Sequence, residues 1–534
     1  MHRLLALALA IALLLPALPG QADEALLGEG RRLYLEGLRA DGSPLEGWRP
    51  GGERLRGRDM ACVQCHRRSG MGTVEGVVVV PPITGPVLFA PGQPPAGHTP
   101  RRAAGMALQD HSFRTRPAYD APRLARALRE GMGAGDVPLD PLMPRYTLSE
   151  RELAALQAWL ESLGTGPVPG VGSTTLHLAT VITPDADARQ RDAMRDVLQR
   201  CIAGRSPPPG RGRRPWVLEE WALSGPPQGW RNQLEARMRQ QPAFALVSGI
   251  GRDWTPVHEF CEAEGVPCLF PNTDLPGPNP RASVYLWPGM ALEGAVLARH
   301  LMEQERLPTR IIQVFDPSDM GREGAAALRG ALVSQPVTVF DRTFRGPLDE
   351  AAWRSLLPPV DAGDVLVLWL GDADLERLLR SHKAPPTAAG VFVSGTLAGL
   401  ERAPDARKVP PPWRAGLRVI YPFDAPEARL SRMVFNLGSW MSAQGLSLAR
   451  DTERTQGNTH AACEITARAL YTLGERYSRD YLLELVEDSY AGATASAFPR
   501  FTLGPGQRYG SKGAHLMRIE KDGSLAVDGD WIVP

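Results

Sequence analysis

The stretch Cys62-Val63-Gln64-Cys65-His66, taken with Pro141-Leu142-Met143-Pro144-Arg145-Tyr146, decides how the N-terminal part of this 534-residue chain reads. In C-x-x-C-H, two thiols can add to the vinyl groups of a haem while the adjoining histidine reaches the iron from the same turn. A thioredoxin-like redox pair would need a surrounding strand–helix context. A zinc site would need a second ligand pair at suitable spacing. Neither is present, so one covalent haem c with its iron is the expected cofactor, held at Cys62, Cys65 and His66.

Helical signals surround the motif. Leu26 to Leu38 has helical spacing, and Pro122 to Gly131 opens with proline and ends with glycine. From Ser149 to Leu163 a capping box, Ser149 with Glu152, precedes Leu153, Leu156, Leu160 and Leu163 on one face. Residues 23–164 with these features resemble class I cytochromes c, an all-α domain. The resemblance implies a methionine ligand in the loop before the last helix, and Met143 stands there. Met71, Met106, Met132 and His111 are rival ligands. With His66 and Met143 both bound, the iron has no open position, which suits electron transfer rather than catalysis.

Length and composition bound the rest. Single cores stop growing near roughly 250–300 residues, so several folding units are expected. The net charge of +1 gives no reason to expect nucleic acid as a partner. Met1-His2-Arg3, the apolar run to Leu18 and the small residues Gly20 and Ala22 read as a signal peptide, residues 1–22, with export to the periplasm. No later segment is long and apolar enough to span a membrane. Of the cysteines outside the motif, Cys261 and Cys268 are expected to pair, with Cys201 and Cys463 left over.

The glycine- and proline-rich residues 165–173 read as a linker. Beyond it, strand-like runs alternate with helical ones: Leu176–Ile182 then Asp187–Ile202, Val217–Leu223 then Arg231–Arg239, Ile311–Phe315 then Arg322–Val333, Asp364–Leu370 then Asp374–Leu379. Such alternation predicts parallel sheets covered on both faces, in two lobes of about 174–290 and 300–415 with later returns.

Phe244-Ala245-Leu246-Val247-Ser248-Gly249, Val266 to Thr273, Ile311 to Arg322, Leu503 to Gly510 and the final Asp530 to Pro534 carry a further resemblance. Through them, residues 174–534 resemble type I periplasmic binding proteins, the branched-chain amino-acid-binding group of ABC transport systems. That likeness implies an α/β two-lobed fold with a ligand cleft at the carboxyl ends of strands. Ser248, Asn272, Thr273, Asp316, Ser318, Asp372 and Ser394 are the cleft residues expected. Each is also a natural turn former or helix cap. Met320 stands where amino-acid binders present a tyrosine, so the solute stays open.

The resulting expectation is a multidomain, non-enzymatic periplasmic cytochrome. Its binding-protein half would recruit a small ligand or a redox partner such as a quinoprotein dehydrogenase, with an electron acceptor downstream. Arg49, Arg54, Arg56, Arg58, Arg67 and Arg68 flank the motif as a docking patch for an acidic partner. The alternative is a solute receptor of an ABC-type uptake or sensing system whose haem serves as redox sensor. His258 beside Glu259 is the nearest approach to a catalytic pair, and its helical setting points it to solvent.

Overall fold

The computed structural model describes residues 19–75, 78–92, 102–103, 106–107, 115–210, 213–346, 348–401, 406–489 and 496–534. Most of the expected signal peptide lies outside these, and so does His111. The chain forms two compact units. One comprises 1–167 with Arg476–Glu484, the other Val168–Glu475 with Leu485–Pro534. Among the described residues no helix is long and apolar enough to cross a membrane.

In the first unit, helices Pro19–Glu36, Ala121–Glu130 and Glu150–Ser162 surround an apolar core. Ser149 and Glu152 form the reciprocal capping box that starts the last helix, and Gly131 ends the middle one with φ 77°. The first and last helices cross where Gly30 meets Ala155. A Cβ on Gly30 would lie 2.0 Å from the Ala155 carbonyl oxygen, so only glycine permits this approach. Leu33, Tyr34, Met60, Cys62, Tyr146 and Leu156 belong to the core that results.

The unit is not all-α as the resemblance implied. Glu46–Trp48 pairs antiparallel with both Arg54–Arg56 and Arg145–Tyr146, and Thr73–Glu75 pairs with Val78–Val80. These strands are two or three residues long and their pairing is partly non-local, so no alternation announced them. Gly47 makes the central strand possible, because a Cβ there would meet the Arg145 carbonyl oxygen at 2.1 Å.

The second unit carries two sheets. In the first, the strands lie edge to edge as Ser283–Val284, Cys268–Leu269, Ala245–Val247, Leu176–Ile182 and Trp216–Ala222, all parallel. In the second, five parallel strands run Thr338–Thr343, Arg310–Phe315, Val365–Trp369, Gly390–Ser394 and Leu417–Tyr421. His515–Ile519 and Leu525–Val527 then join them antiparallel. Both sheets are doubly wound, and each reverses direction between its first and third strands in chain order. In doubly wound sheets, ligands collect outside the carboxyl ends of the strands at such a reversal.

The chain passes between lobes three times, through 285–289, 422–425 and 497–514. The first and third crossings lie side by side, with Gly510 N donating to the Tyr285 carbonyl at 3.0 Å. The second meets the third where Asp424 N donates to the Ala497 carbonyl at 3.1 Å.

The cysteine pairing differs from the expectation. Cys201 is bonded to Cys463, joining helices Ala188–Arg205 and Glu453–Leu473, while Cys261 and Cys268 lie outside any disulfide. Cys261 sits on a helix and Cys268 on a strand, and both pack as apolar residues in one core with Trp254, Phe260 and Tyr285. Closeness in sequence does not by itself give two cysteines the geometry of a bridge. His258 also differs. It is buried, with Nδ1 2.8 Å from the Tyr285 hydroxyl and Nε2 3.0 Å from the Pro278 carbonyl, and does not face solvent.

Two outcomes check this fold. Replacing Gly30 by alanine should cost about 1–3 kcal/mol in denaturant unfolding, the usual penalty for forcing atoms into a packed contact. Peptide mapping without reductant should recover a Cys201–Cys463 cross-link, and the paired Cys201→Ser, Cys463→Ser change should destabilise by about 2–4 kcal/mol.

Candidate functional site

The four residues expected to hold a haem, Cys62, Cys65, His66 and Met143, all lie in the first unit. Cys62 to His66 forms a single turn, in which His66 N donates to the Cys62 carbonyl at 2.8 Å. Cys62 and His66 are buried and Cys65 is exposed. Arg67 then turns the chain with φ 62°, a left-handed conformation uncommon for a side-chain-bearing residue. Two contacts hold that turn. The Tyr34 hydroxyl donates to the Arg67 carbonyl at 2.8 Å, and the Glu484 carboxylate accepts from Ser69 N at 2.8 Å and from the Ser69 hydroxyl. Met143 packs against the core that contains Cys62, and Arg145 Nη1 donates to the Met143 carbonyl at 2.5 Å.

The donor chemistry of His66 suits a haem iron. His66 Nδ1 lies 3.0 Å from the Pro81 carbonyl. A carbonyl can only accept, so Nδ1 carries the proton and Nε2 keeps the lone pair a metal needs. Burial pushes His66 down to about 4, which holds the imidazole neutral. Burial pushes the Cys62 thiol up to about 11, beside Tyr146. Nothing in the sequence marked Pro81, fifteen residues beyond His66, as the group that orients the imidazole.

The arginine patch is only partly available. Arg54, Arg56 and Arg58 are exposed, but Arg67 is buried, and Arg49 and Arg68 pair with Glu53 at 3.1 Å and Asp480 at 3.3 Å.

In the second unit, Ser248 follows the strand at the reversal point of the first sheet, with φ 55°. Asn272 Nδ2 donates to the Ser248 hydroxyl at 3.1 Å, to Thr459 Oγ1 at 3.1 Å and to the Gly249 carbonyl at 3.3 Å. Asn272 Oδ1 is buried and finds no hydrogen-bond partner among the described residues. Thr273 caps its own turn by accepting from Leu275 N at 3.2 Å. Thr459 comes from the long helix Glu453–Leu473, which nothing in the sequence marked as part of the cleft.

The second lobe uses its expected residues differently. Asp316 lies at the reversal point, and its carboxylate accepts from Ser318 N at 2.9 Å and Gly371 N at 3.1 Å. Ser318 caps helix Asp319–Ala331 by accepting from Gly321 N at 3.1 Å. Asp372 pairs with Lys408 at 2.5 Å, and the buried Ser394 hydroxyl accepts from Leu397 N at 3.0 Å. These groups shape the loops at the strand ends. Between them and the crossings sits a buried charge cluster that sequence reading missed. Arg429 donates to Glu453 Oε1 at 2.8 Å, to the Tyr421 hydroxyl at 2.9 Å and to the Glu401 carbonyl at 2.5 Å. Glu293, fully buried, accepts from Thr396 N at 3.2 Å, and burial pushes its carboxyl up to about 8. Cys201, His460 and Glu464 also group within 4.8 Å, but the Cys201 sulfur is committed to the disulfide.

No protein-family model matches this chain, and no curated protein matches it. Solved structures similar to it include a branched-chain amino-acid ABC transporter protein from Thermus thermophilus with bound valine, at 12% identity and TM-score 0.49, covering 68% of this chain and 97% of that one. An ABC transporter substrate-binding protein from Aeropyrum pernix has 12% identity and TM-score 0.49, covering 67% and 97%. A fatty-acid ABC transporter substrate-binding protein from Thermomonospora curvata has 12% identity and TM-score 0.45, covering 69% and 95%.

Glu293 gives a pH test. Its ordinary value is 4.5, so between about pH 5 and 8 the folded chain keeps a proton that the unfolded chain has released. Its contribution to stability therefore falls as pH rises through that window. Glu293→Gln keeps the oxygen that accepts from Thr396 N and removes the ionisation. Thermal unfolding of the variant should lose less stability than wild type between pH 5 and 8.

Proposed function

We propose that this chain is an exported solute receptor of the periplasmic binding-protein type, as in an ABC-type uptake or sensing system, that carries one haem c as a redox element. The solute reading is carried by the first lobe's crevice. There Ser248, Asn272 and Thr459 converge at a reversal point, and a buried amide oxygen lacks a donor among the described residues. Leaving such an acceptor unpaired costs about 1–3 kcal/mol, so a solute that donates a hydrogen bond to Asn272 Oδ1 would recover that cost. Two lobes joined by three crossings can close around it.

The residues that would hold the haem are Cys62 and Cys65, through thioethers, with His66 and Met143 as the side chains offered to its iron. Such a group would supply one-electron chemistry. The chain's own part is to keep His66 neutral and oriented through Pro81, and to hold Met143 in place through Arg145. No catalysis is proposed. A second reading, electron transfer with a periplasmic partner such as a quinoprotein dehydrogenase, is favoured by the exposed Arg54, Arg56 and Arg58 beside the motif.

The purified full-length protein tests both parts. It should retain porphyrin after acid–acetone extraction, and Cys62→Ser with Cys65→Ser should not. Reduced Met143→Ala should bind carbon monoxide and reduced wild type should not. Loss of all porphyrin from wild type would end the haem reading. For the receptor, calorimetric titration with a panel of amino acids and short carboxylates should find a ligand whose affinity drops about tenfold or more in Asn272→Ala, the effect of one buried hydrogen bond. A full panel without binding, beside saturable docking of a reduced dehydrogenase, would favour the second reading.

A further inference from the structure

Three buried aromatic residues, one from each interlobe crossing, meet beside one another: Trp287, Phe423 and Phe498. Their rings form a triangle, with centroids 6.0 Å apart for Trp287–Phe423, 5.4 Å for Trp287–Phe498 and 5.3 Å for Phe423–Phe498. Over it lies the guanidinium of Arg454, at 4.8 Å from the Phe423 centroid and 5.8 Å from each of the other two. The same guanidinium pairs with Asp274, from the loop after Cys268–Leu269 in the first lobe, and stands 3.5 Å from Glu401 Oε1, beyond Gly390–Ser394 in the second. Glu401 is held a second time, through its carbonyl, by Arg429.

Three aromatic faces and two carboxylates are the chemistry that recognises a planar organic cation. A helix cap or a space-filling side chain would need neither. We infer that Trp287, Phe423 and Phe498 with Asp274 and Glu401 form a guanidinium-binding site that this chain fills with its own Arg454, and that this internal ligand ties the two lobes together across all three crossings. The inference goes beyond the receptor reading and does not depend on it, since the site involves neither the Ser248–Asn272–Thr459 crevice nor the haem motif.

The geometry also sets what replaces the side chain. A lysine ammonium can meet one carboxylate, but it lacks the planar fork that spans Asp274 and Glu401 while lying flat on rings. A small free guanidinium ion has both properties. Truncating Arg454 removes the cation from Asp274 and from the aromatic face, which is a seat for that ion.

The test uses the full-length chain with Arg454→Ala and Arg454→Lys, and methylguanidinium as probe. Arg454→Ala should melt below wild type, and limited proteolysis should cut the crossings about tenfold faster, a change equal to about 1.4 kcal/mol. Millimolar methylguanidinium should restore part of the lost melting temperature in Arg454→Ala. It should leave wild type unmoved, and methylammonium or sodium at equal ionic strength should restore less. Arg454→Lys should fall between wild type and alanine in proteolysis rate. If a folded Arg454→Ala responds to methylguanidinium no more than to sodium, the site assignment fails. Where Arg454→Ala does not fold, a lysine variant that melts and is cleaved like wild type overturns the proposal equally, because a single point charge would then suffice.

Discussion

Parallel strand pairing is the constraint from which the second unit follows. Two parallel neighbours cannot be joined by a tight turn, so each pair requires a crossover long enough to hold a covering helix. The sheets are thereby buried on both faces, which is why Val365-Leu366-Val367-Leu368-Trp369 is apolar throughout and fully buried. Where the winding reverses, helices part to opposite faces and the strand ends lie open. Among the polar residues gathered there, Asn272 donates to the Gly249 carbonyl on one sheet, and Asp316 accepts from Ser318 N and Gly371 N on the other.

A second constraint is the burial of charge. The region beside the crossings holds Asp274, Glu293, Glu401, Glu453, Arg429 and Arg454. An isolated buried charge is costly, and the structure meets each one in a different way. Arg429 is enclosed by a carboxylate, a phenol and a carbonyl. Arg454 is met by two carboxylates and three rings. Glu293, fully buried, has no guanidinium among its hydrogen-bond partners and keeps its proton. The cluster therefore makes the joint between lobes a place of specific pairing rather than loose chain.

In the first unit the comparable feature is the single turn from Cys62 to His66. Its orientation depends on groups distant in sequence: Pro81 on the imidazole, Tyr34 on the Arg67 carbonyl and Glu484 on Ser69. A left-handed Arg67 is tolerated because these contacts over-determine it. Close passage of Gly30 past Ala155 brings the first and last helices near enough to enclose the same core.

The sequence by itself determined whatever is local. The Ser149–Glu152 cap, the Pro-to-Gly helix from Ala121 to Glu130 and the strand Leu176–Ile182 were legible because capping and side-chain periodicity act within a few residues. The C-x-x-C-H spacing was legible for the same reason. Tertiary structure alone decided which distant groups meet. It paired Cys201 with Cys463 instead of Cys261 with Cys268, because a disulfide follows the direction of Cβ vectors and not closeness along the chain. It turned His258 inward to Tyr285, built a small sheet from segments too short to alternate, and turned Asp316 and Ser318 to holding their own loop. It also brought Thr459 and Arg454 from one late helix to the strand ends and the crossings. Those two residues carry no local signature, since a threonine or an arginine on a helix acquires its role only from what packs against it.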